Sequence, residues 1–154
     1  PRRMALSRLY IYRMHTGATR SPLIRRTTYR VGAGLKLKRM RIAMRHLVGV
    51  HDFAGFAGSL EWPDASTVRE IFEARIRSRG NEITMEIEGS AFLPHQVRRM
   101  AGALVDVGSG RLSPSEVLAM VDRRPGAAVA RSLPPQGLCL SRVKYANFPP
   151  KVGA

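Results

Sequence analysis

The stretch VREIFEARIRSRGNEITMEIE, residues 68–88, is typical of two antiparallel strands joined by a tight turn. In its second half, Ile83, Met85 and Ile87 alternate with polar residues, which predicts a strand with one buried face. Residues 68–77 predict the partner strand, and Arg-Gly-Asn at 79–81 predicts the turn. A sheet with one apolar face needs other elements to cover it.

The flanking sequence contains two more predicted strands, over residues 8–14 and 137–145. Residues 15–34 are punctuated by glycine and proline and predict a loop. These segments place a strand before the hairpin and another after it.

Three helices are predicted between these strands. Apolar residues at three- and four-residue steps predict helices over 35–48 and 94–107, each followed by a glycine. Ser113-Pro114-Ser115-Glu116 predicts a capping box at the start of the third. The order β-α-β-β-α-α-β predicts a single α+β domain over residues 1–154, with an antiparallel or mixed sheet and helices on one face.

The composition is that of a compact, strongly basic domain. The chain has 154 residues, a net charge of +15 and 44% hydrophobic residues, which is too apolar for a disordered basic tail. No apolar run approaches the ~20 residues of a membrane helix. The single cysteine, Cys139, excludes an internal disulfide, and its leucine neighbours predict a core position. His15, His46 and His51 have no Cys or Asp partner at ligand spacing, so a metal site is not expected.

The positive charge is concentrated in residues 1–50, which hold 13 Lys and Arg and no acid. Of the 26 basic residues in the chain 22 are arginine, whose planar guanidinium grips phosphate. Structured RNA is therefore the expected partner, rather than a membrane or a merely solvated face. The candidate RNA contacts in this segment are Arg2, Arg3, Arg8, Arg13, Arg25, Arg26, Lys36, Lys38, Arg39, Arg41 and Arg45. His95 and Arg99, at the start of the second predicted helix, are further candidates.

Four short stretches, in order, resemble the C-terminal half of the TruA-type tRNA pseudouridine synthases. They are ALSRLYIY at 5–12, HLVGVHDFAGF at 46–56, AFLPHQVRRM at 91–100 and PQGLCL at 135–140. The resemblance implies a pseudouridine synthase fold and an enzyme that flips a uridine out of tRNA and isomerises it without cofactor or metal. It also implies that Tyr10 packs on the flipped base, that Arg98 lies beside the catalytic carboxylate, and that Leu138 forms an apolar wall. Without the resemblance, Tyr10 and Leu138 would be assigned to the sheet and the core.

The chain departs from this family at the catalytic acid. The family's Arg-Thr-Asp-x-Gly-type motif is missing, and the four aspartates, Asp52, Asp64, Asp106 and Asp122, lie in other contexts. Asp52 belongs to a turn that has the pattern of a structural element. Cys139 also replaces a usual tyrosine, and Pro94 stands where histidine is common. The chain by itself is therefore expected to be inactive.

Two functions remain open at this point. The chain is either the second half of a tRNA pseudouridine synthase, with the first half upstream or on a second chain and with a homodimer possible, or a non-catalytic RNA-binding component of a ribonucleoprotein. A mitochondrial ribosome, with rRNA as the partner, is the expected setting for the second. The absence of an initial Met suggests a fragment or a processed product. The Arg-rich, acid-free start favours an organelle, and the cytoplasm is the alternative.

Overall fold

The computed structural model describes residues 4–18, 21–60 and 62–146. These residues form six strands and three α-helices, and short 3-10 turns at Ala54–Phe56 and Pro135–Gly137. The elements are β1 (Ala5–His15), β2 (Tyr29–Arg30), α1 (Leu37–Arg45), β3 (Gly49–Asp52), β4 (Val68–Arg79), β5 (Glu82–Gly89), α2 (Gln96–Gly108), α3 (Pro114–Val121) and β6 (Leu138–Tyr145).

The strands form one mixed sheet in the order β3-β4-β5-β1, and β6 and β2 share the far edge of β1. All pairs are antiparallel except β1 with β2. The β4–β5 hairpin turns at Gly80, whose φ of 58° is strained for residues with a side chain. The predicted hairpin and the mixed sheet are both confirmed.

The three helices cover one face of this sheet. Ile83, Met85 and Ile87 of β5 are buried on that face, and in the register Tyr12 lies opposite Met85. α2 packs on β1, α1 packs on β4, and α1 also contacts α2 and α3. The other face of the sheet, here called the helix-free face, carries the alternate residues of each strand. The predicted α+β class, with helices on one face, is confirmed.

The capping box of α3 is confirmed in both directions. The backbone N–H of Glu116 donates to Oγ of Ser113 at 3.2 Å, and the backbone N–H of Ser113 donates to Oε2 of Glu116 at 2.6 Å. Proline at the first helical position needs no hydrogen-bond partner for its nitrogen. The residues at the start of α3 therefore determine by themselves where this helix begins.

Three details differ from the prediction. α1 is shorter than residues 35–48, because the chain turns after His46 and enters β3. β2 and β3 were not predicted, since strands of two and four residues are too short to show an alternating pattern. The core position predicted for Cys139 is wrong: its side chain is exposed, because it lies opposite Ile11 and faces away from the helices.

No helix among the described residues has the length and apolar character to cross a membrane.

Candidate functional site

Tyr10 lies on the helix-covered side of β1, at the rim of the core. Its ring packs edge-to-face on Phe92, with ring centroids 5.1 Å apart and planes at 85°. Tyr10 is half-buried, and its strand neighbour Leu140 is 48% exposed. An aromatic ring held on one side and partly open on another offers a surface on which a base can stack.

Leu138 begins β6 on the same face of the sheet. It lies opposite Tyr12, diagonally next to Tyr10, and is half-buried against the core. The preceding residue, Gly137, makes a close approach: a Cβ there would lie 2.7 Å from the Arg13 carbonyl oxygen and 2.8 Å from the Tyr12 ring. Glycine at 137 therefore lets the chain enter β6 directly against Tyr12.

Tyr12 and Arg98 hold the segment that leads into β6. The hydroxyl of Tyr12, which is fully buried, donates to the Pro134 carbonyl at 2.6 Å. Nε of Arg98 donates to the neighbouring carbonyl of Leu133 at 2.6 Å, and the Leu133 N–H donates to the Arg98 carbonyl at 3.2 Å. Burial raises the pKa of Tyr12 well above its ordinary value, so the phenol stays protonated and donates this bond. Sequence analysis assigned no role to Tyr12.

Arg98 makes no ion pair with a carboxylate in the described ranges 4–18, 21–60 and 62–146. Its hydrogen-bond partner there is the backbone carbonyl of Leu133, and the side chain is half-buried. A guanidinium in this state can donate hydrogen bonds to a carboxylate or a phosphate from outside the described chain. The fold thus brings Tyr10, Arg98 and Leu138 to one rim, between β1, the β6 entry and the first turn of α2.

The helix α1 has the two-sided character that its pattern predicts. Met40, Ala43 and Met44 are buried, and the cations lie on the other side. The guanidinium of Arg41 is partly engaged in hydrogen bonds within the protein, because its Nε and Nη2 each donate to the Ile76 carbonyl at 3.3 Å. The exposed cations of this face are Lys36, Lys38, Arg41 and Arg45, with Arg39 half-buried.

The cations of residues 1–50 do not form a single surface. Arg13 is exposed on the helix-free face of β1, whereas the cations of α1 lie outside the helix layer. Arg8 donates from Nη1 to the Ser90 carbonyl at 2.6 Å, and Arg25 and Arg26 are exposed in the loop before β2. Arg2 and Arg3 lie outside the described residues. An RNA that lies against one side of the domain meets only part of this set.

A cavity in another part of the molecule lies away from this rim. It has a volume of about 970 Å³, between the loop that precedes α1 and Gln136, and Arg25 and Arg30 contribute to its wall. Tyr10, Arg98 and Leu138 do not line it. Within the part of the chain that the structure describes, no three His, Cys, Asp or Glu residues are grouped to hold a metal ion.

His95 and Arg99 lie at the start of α2. His95 is the exposed N-cap residue, with a left-handed φ of 61°, and Arg99 is half-buried one turn later. Arg99 lines a second cavity together with Arg123 and Arg124. Sequence analysis missed these last two arginines; their position directly after a capped helix was the signal that could have found them.

Asp52 is the centre of a structural turn, as its sequence context suggested. Its Oδ1 accepts from the Thr67 hydroxyl and, at 3.0 Å, from the Ala54 N–H, and its Oδ2 accepts from Arg123 at 3.1 Å. The Thr67 hydrogen bond is the main cause that lowers the pKa of Asp52 below its ordinary value. Both oxygens of this carboxylate are therefore occupied by hydrogen bonds that connect β3, β4 and the end of α3.

The replacement Asp52→Asn is expected to destabilise the protein by about 1 kcal/mol near neutral pH, because it weakens charge-assisted hydrogen bonds at a partly exposed site. A carboxyl whose pKa is lowered by folding stabilises the fold above its unfolded pKa and loses that contribution as the pH falls. The difference between the variant and the unmodified chain should therefore shrink in acid. Urea unfolding at about pH 7 and about pH 3 measures it.

The matched control is Asp64→Asn, which removes the same charge from an exposed turn. It should leave the free energy of unfolding unchanged at both pH values. If Asp52→Asn behaves like this control, the Asp52 hydrogen bonds contribute nothing to stability.

Comparison with known proteins gives a consistent match. A family model described as tRNA pseudouridine synthase matches residues 43–146. The chain is 40% identical over 147 residues to tRNA pseudouridine synthase A of Geobacter sulfurreducens, covering 94% of this chain and 59% of that protein. It is 42% identical over 154 residues to the Myxococcus xanthus protein of the same name, covering 97% of this chain and 57% of the relative. The chain thus spans somewhat more than half the length of the curated relatives that it matches.

Proposed function

The chain belongs to the tRNA pseudouridine synthase family, and we therefore propose that it is the RNA-binding C-terminal part of an enzyme that isomerises uridine in tRNA to pseudouridine. The observation that carries this proposal is the rim formed by Tyr10, Arg98 and Leu138. It supplies an aromatic surface, a guanidinium without a carboxylate partner in the described chain, and an apolar wall.

These side chains suit the steps of the isomerisation. The bond between N1 of the base and C1′ of the ribose breaks, the base turns, and C5 bonds to C1′. The C5 hydrogen then leaves as a proton, and N1 takes up a proton. Tyr10, supported by Phe92 on one side, would stack on the flipped base with its open side, and Leu138 would keep water away from the base. Arg98 would orient the acid that attacks the nucleotide.

The acid itself must come from outside the described chain. Asp52 is occupied by Thr67, Ala54 and Arg123, and the Arg-Thr-Asp-x-Gly motif is not in the sequence. We therefore assign the catalytic aspartate to a preceding segment or to a second chain, with a homodimer as one possible assembly. The 154 residues alone should bind RNA without turning it over.

Release of tritium from tRNA transcripts that carry [5-³H]uridine tests this function, because the C5 hydrogen is lost in the reaction. The chain alone should release no tritium above background. A fusion that places the N-terminal portion of the Geobacter sulfurreducens relative in front of the chain should release it. A folded fusion that binds tRNA and still releases none would contradict the enzymatic proposal.

A second candidate is a non-catalytic RNA-binding component of a ribonucleoprotein, such as a mitochondrial ribosome with rRNA as the ligand. The observation in its favour is the acid-free segment 1–50, since tight phosphate binding slows the product release that an enzyme needs. Such a protein would prefer rRNA to tRNA and would be inactive in the fusion as well. Tritium release by the fusion, together with the Kd of the chain for rRNA and tRNA transcripts, therefore separates the candidates.

A further inference from the structure

A small cavity opens on the helical side of the molecule, apart from the Tyr10 rim. It has a volume of about 320 Å³ and lies between the turn Ala54–Phe56, the first turns of α2 and the end of α3. Three arginines line it, Arg99, Arg123 and Arg124, and an apolar wall completes it with Ala127, Ala128 and Val129. Sequence reasoning placed only Arg99 among the candidate RNA contacts.

The three arginines are not equally neutralised. Arg123 pairs with Asp52 at 3.1 Å, and Arg124 pairs with Asp122 at 2.9 Å. Arg99 pairs with no carboxylate in the described part of the chain, and its Nε is buried without a hydrogen-bond partner. A buried donor without an acceptor is unfavourable, so a ligand that accepts hydrogen bonds from the Arg99 guanidinium would compensate part of this cost.

The backbone around the cavity is strained at two points. Arg123 has a φ of 52° where the chain leaves α3, a position that usually holds glycine. The backbone N–H of Arg123 donates to the Met120 carbonyl, and the backbone N–H of Arg124 donates to the Ala119 carbonyl. Backbone hydrogen bonds alone therefore cap the C-terminal end of α3. The other described non-glycine residue with positive φ is His95, one turn before Arg99. Glycine would adopt this backbone conformation without strain, whereas the arginine side chain pairs with Asp52 and lines the cavity.

The two neighbouring arginines of α2 serve different surfaces. Successive residues of a helix lie about 100° apart, so Arg98 reaches the Leu133 carbonyl and Arg99 reaches the cavity. A ligand in the cavity therefore does not compete with a base at the Tyr10 rim. Arg98 and Arg99 both lie on the first turns of α2, so the two surfaces can contact the same RNA molecule.

We propose that this cavity binds a backbone phosphate of structured RNA. The proposal rests on the proposed function for the nature of the ligand. The phosphate accepts from the guanidinium of Arg99, and Arg123 and Arg124 flank it. Val129, which is 81% exposed, offers an apolar contact to the adjoining ribose. The cavity thus holds the RNA in register at a point that the catalytic rim does not touch.

The test measures binding of a fluorescent tRNA transcript to the 154-residue chain by anisotropy over a series of KCl concentrations. Arg99→Gln should weaken binding by roughly 5–10-fold and lower the slope of log Kd against log [KCl] by about 1. The control Arg79→Gln removes the same charge from an exposed strand end and should change Kd less than about twofold. Arg99→Lys should restore most of the affinity.

Thermal unfolding separates binding from folding, because Arg99→Gln breaks no described side-chain hydrogen bond and should leave the melting temperature unchanged. If the unmodified chain binds tRNA and Arg99→Gln matches Arg79→Gln, the phosphate site is disproved and the proposed function stands. A weaker affinity with an unchanged salt slope also disproves it. If the unmodified chain binds no tRNA at low salt, the proposed function itself fails.

Discussion

Replacing Tyr10 with alanine in the active fusion is expected to reduce tritium release by about 10²-fold or more, while the affinity for tRNA stays within about twofold. The Tyr10 ring rests on Phe92 and is the aromatic surface at the rim. In the proposed function its loss removes the surface that would position the flipped base, and misplacement of a reacting group lowers the rate steeply. Affinity depends chiefly on phosphate contacts, which Tyr10 does not make.

Single-turnover tritium release and anisotropy on the same preparations measure the two quantities. Tyr10→Phe keeps the ring and removes the hydroxyl, so it separates stacking from any proton transfer. A large loss of tRNA affinity in Tyr10→Ala would make Tyr10 a binding or folding residue, and its assigned role would be wrong.

Gly102→Ala should be the most damaging small substitution in the fold. Gly102 lies in the buried middle of α2, and a Cβ there would meet the Arg131 carbonyl oxygen at 2.0 Å and its carbon at 3.0 Å. Those are backbone atoms, which cannot rotate away. We expect a loss of roughly 3 kcal/mol, at the upper end of the cost of overpacking, and a melting temperature lower by roughly 6–12 °C.

Gly102→Ala is also expected to disturb the Tyr10 rim, because the segment that follows Arg131 is hydrogen-bonded to residues of that rim. Residues 133 and 134 accept from Arg98 and Tyr12, so a displaced segment disturbs both hydrogen bonds. Gly32→Ala is the control, since its Cβ would meet nothing within 4 Å and it should unfold like the unmodified chain. Alanine is the better helix former by about 1 kcal/mol, so a higher melting temperature for Gly102→Ala would show that the close approach does not exist.

Local sequence patterns were sufficient to predict those helices and strands whose own residues carry a distinctive pattern. The alternation in residues 83–87 identified the β5 face, and Ser113 with Glu116 identified the start of α3. β3 carries no such signal, because a four-residue edge strand is defined by its pairing with β4. Cys139 was misplaced because leucine neighbours say nothing about which face of β6 meets the helices.

The site shows the same division between local and tertiary information. Motif resemblance named Tyr10, Arg98 and Leu138, and the fold brings them to one rim. The hydrogen bonds of Tyr12 and Arg98 to the β6 entry join residues that are 122 and 35 positions apart, which no local pattern contains. The Arg99 cavity depends on a left-handed Arg123, a conformation that the sequence would assign to glycine.

The proposed function requires that this chain bind structured RNA through the phosphates of the RNA. The most direct measurement is the Kd of the unmodified chain for a tRNA transcript at about 50 and about 200 mM KCl. With six or more phosphate contacts, affinity should fall by roughly 10³-fold over that range. A Kd that changes less than about threefold would mean that the basic residues do not contact the RNA backbone, which would contradict the proposed mode of RNA binding.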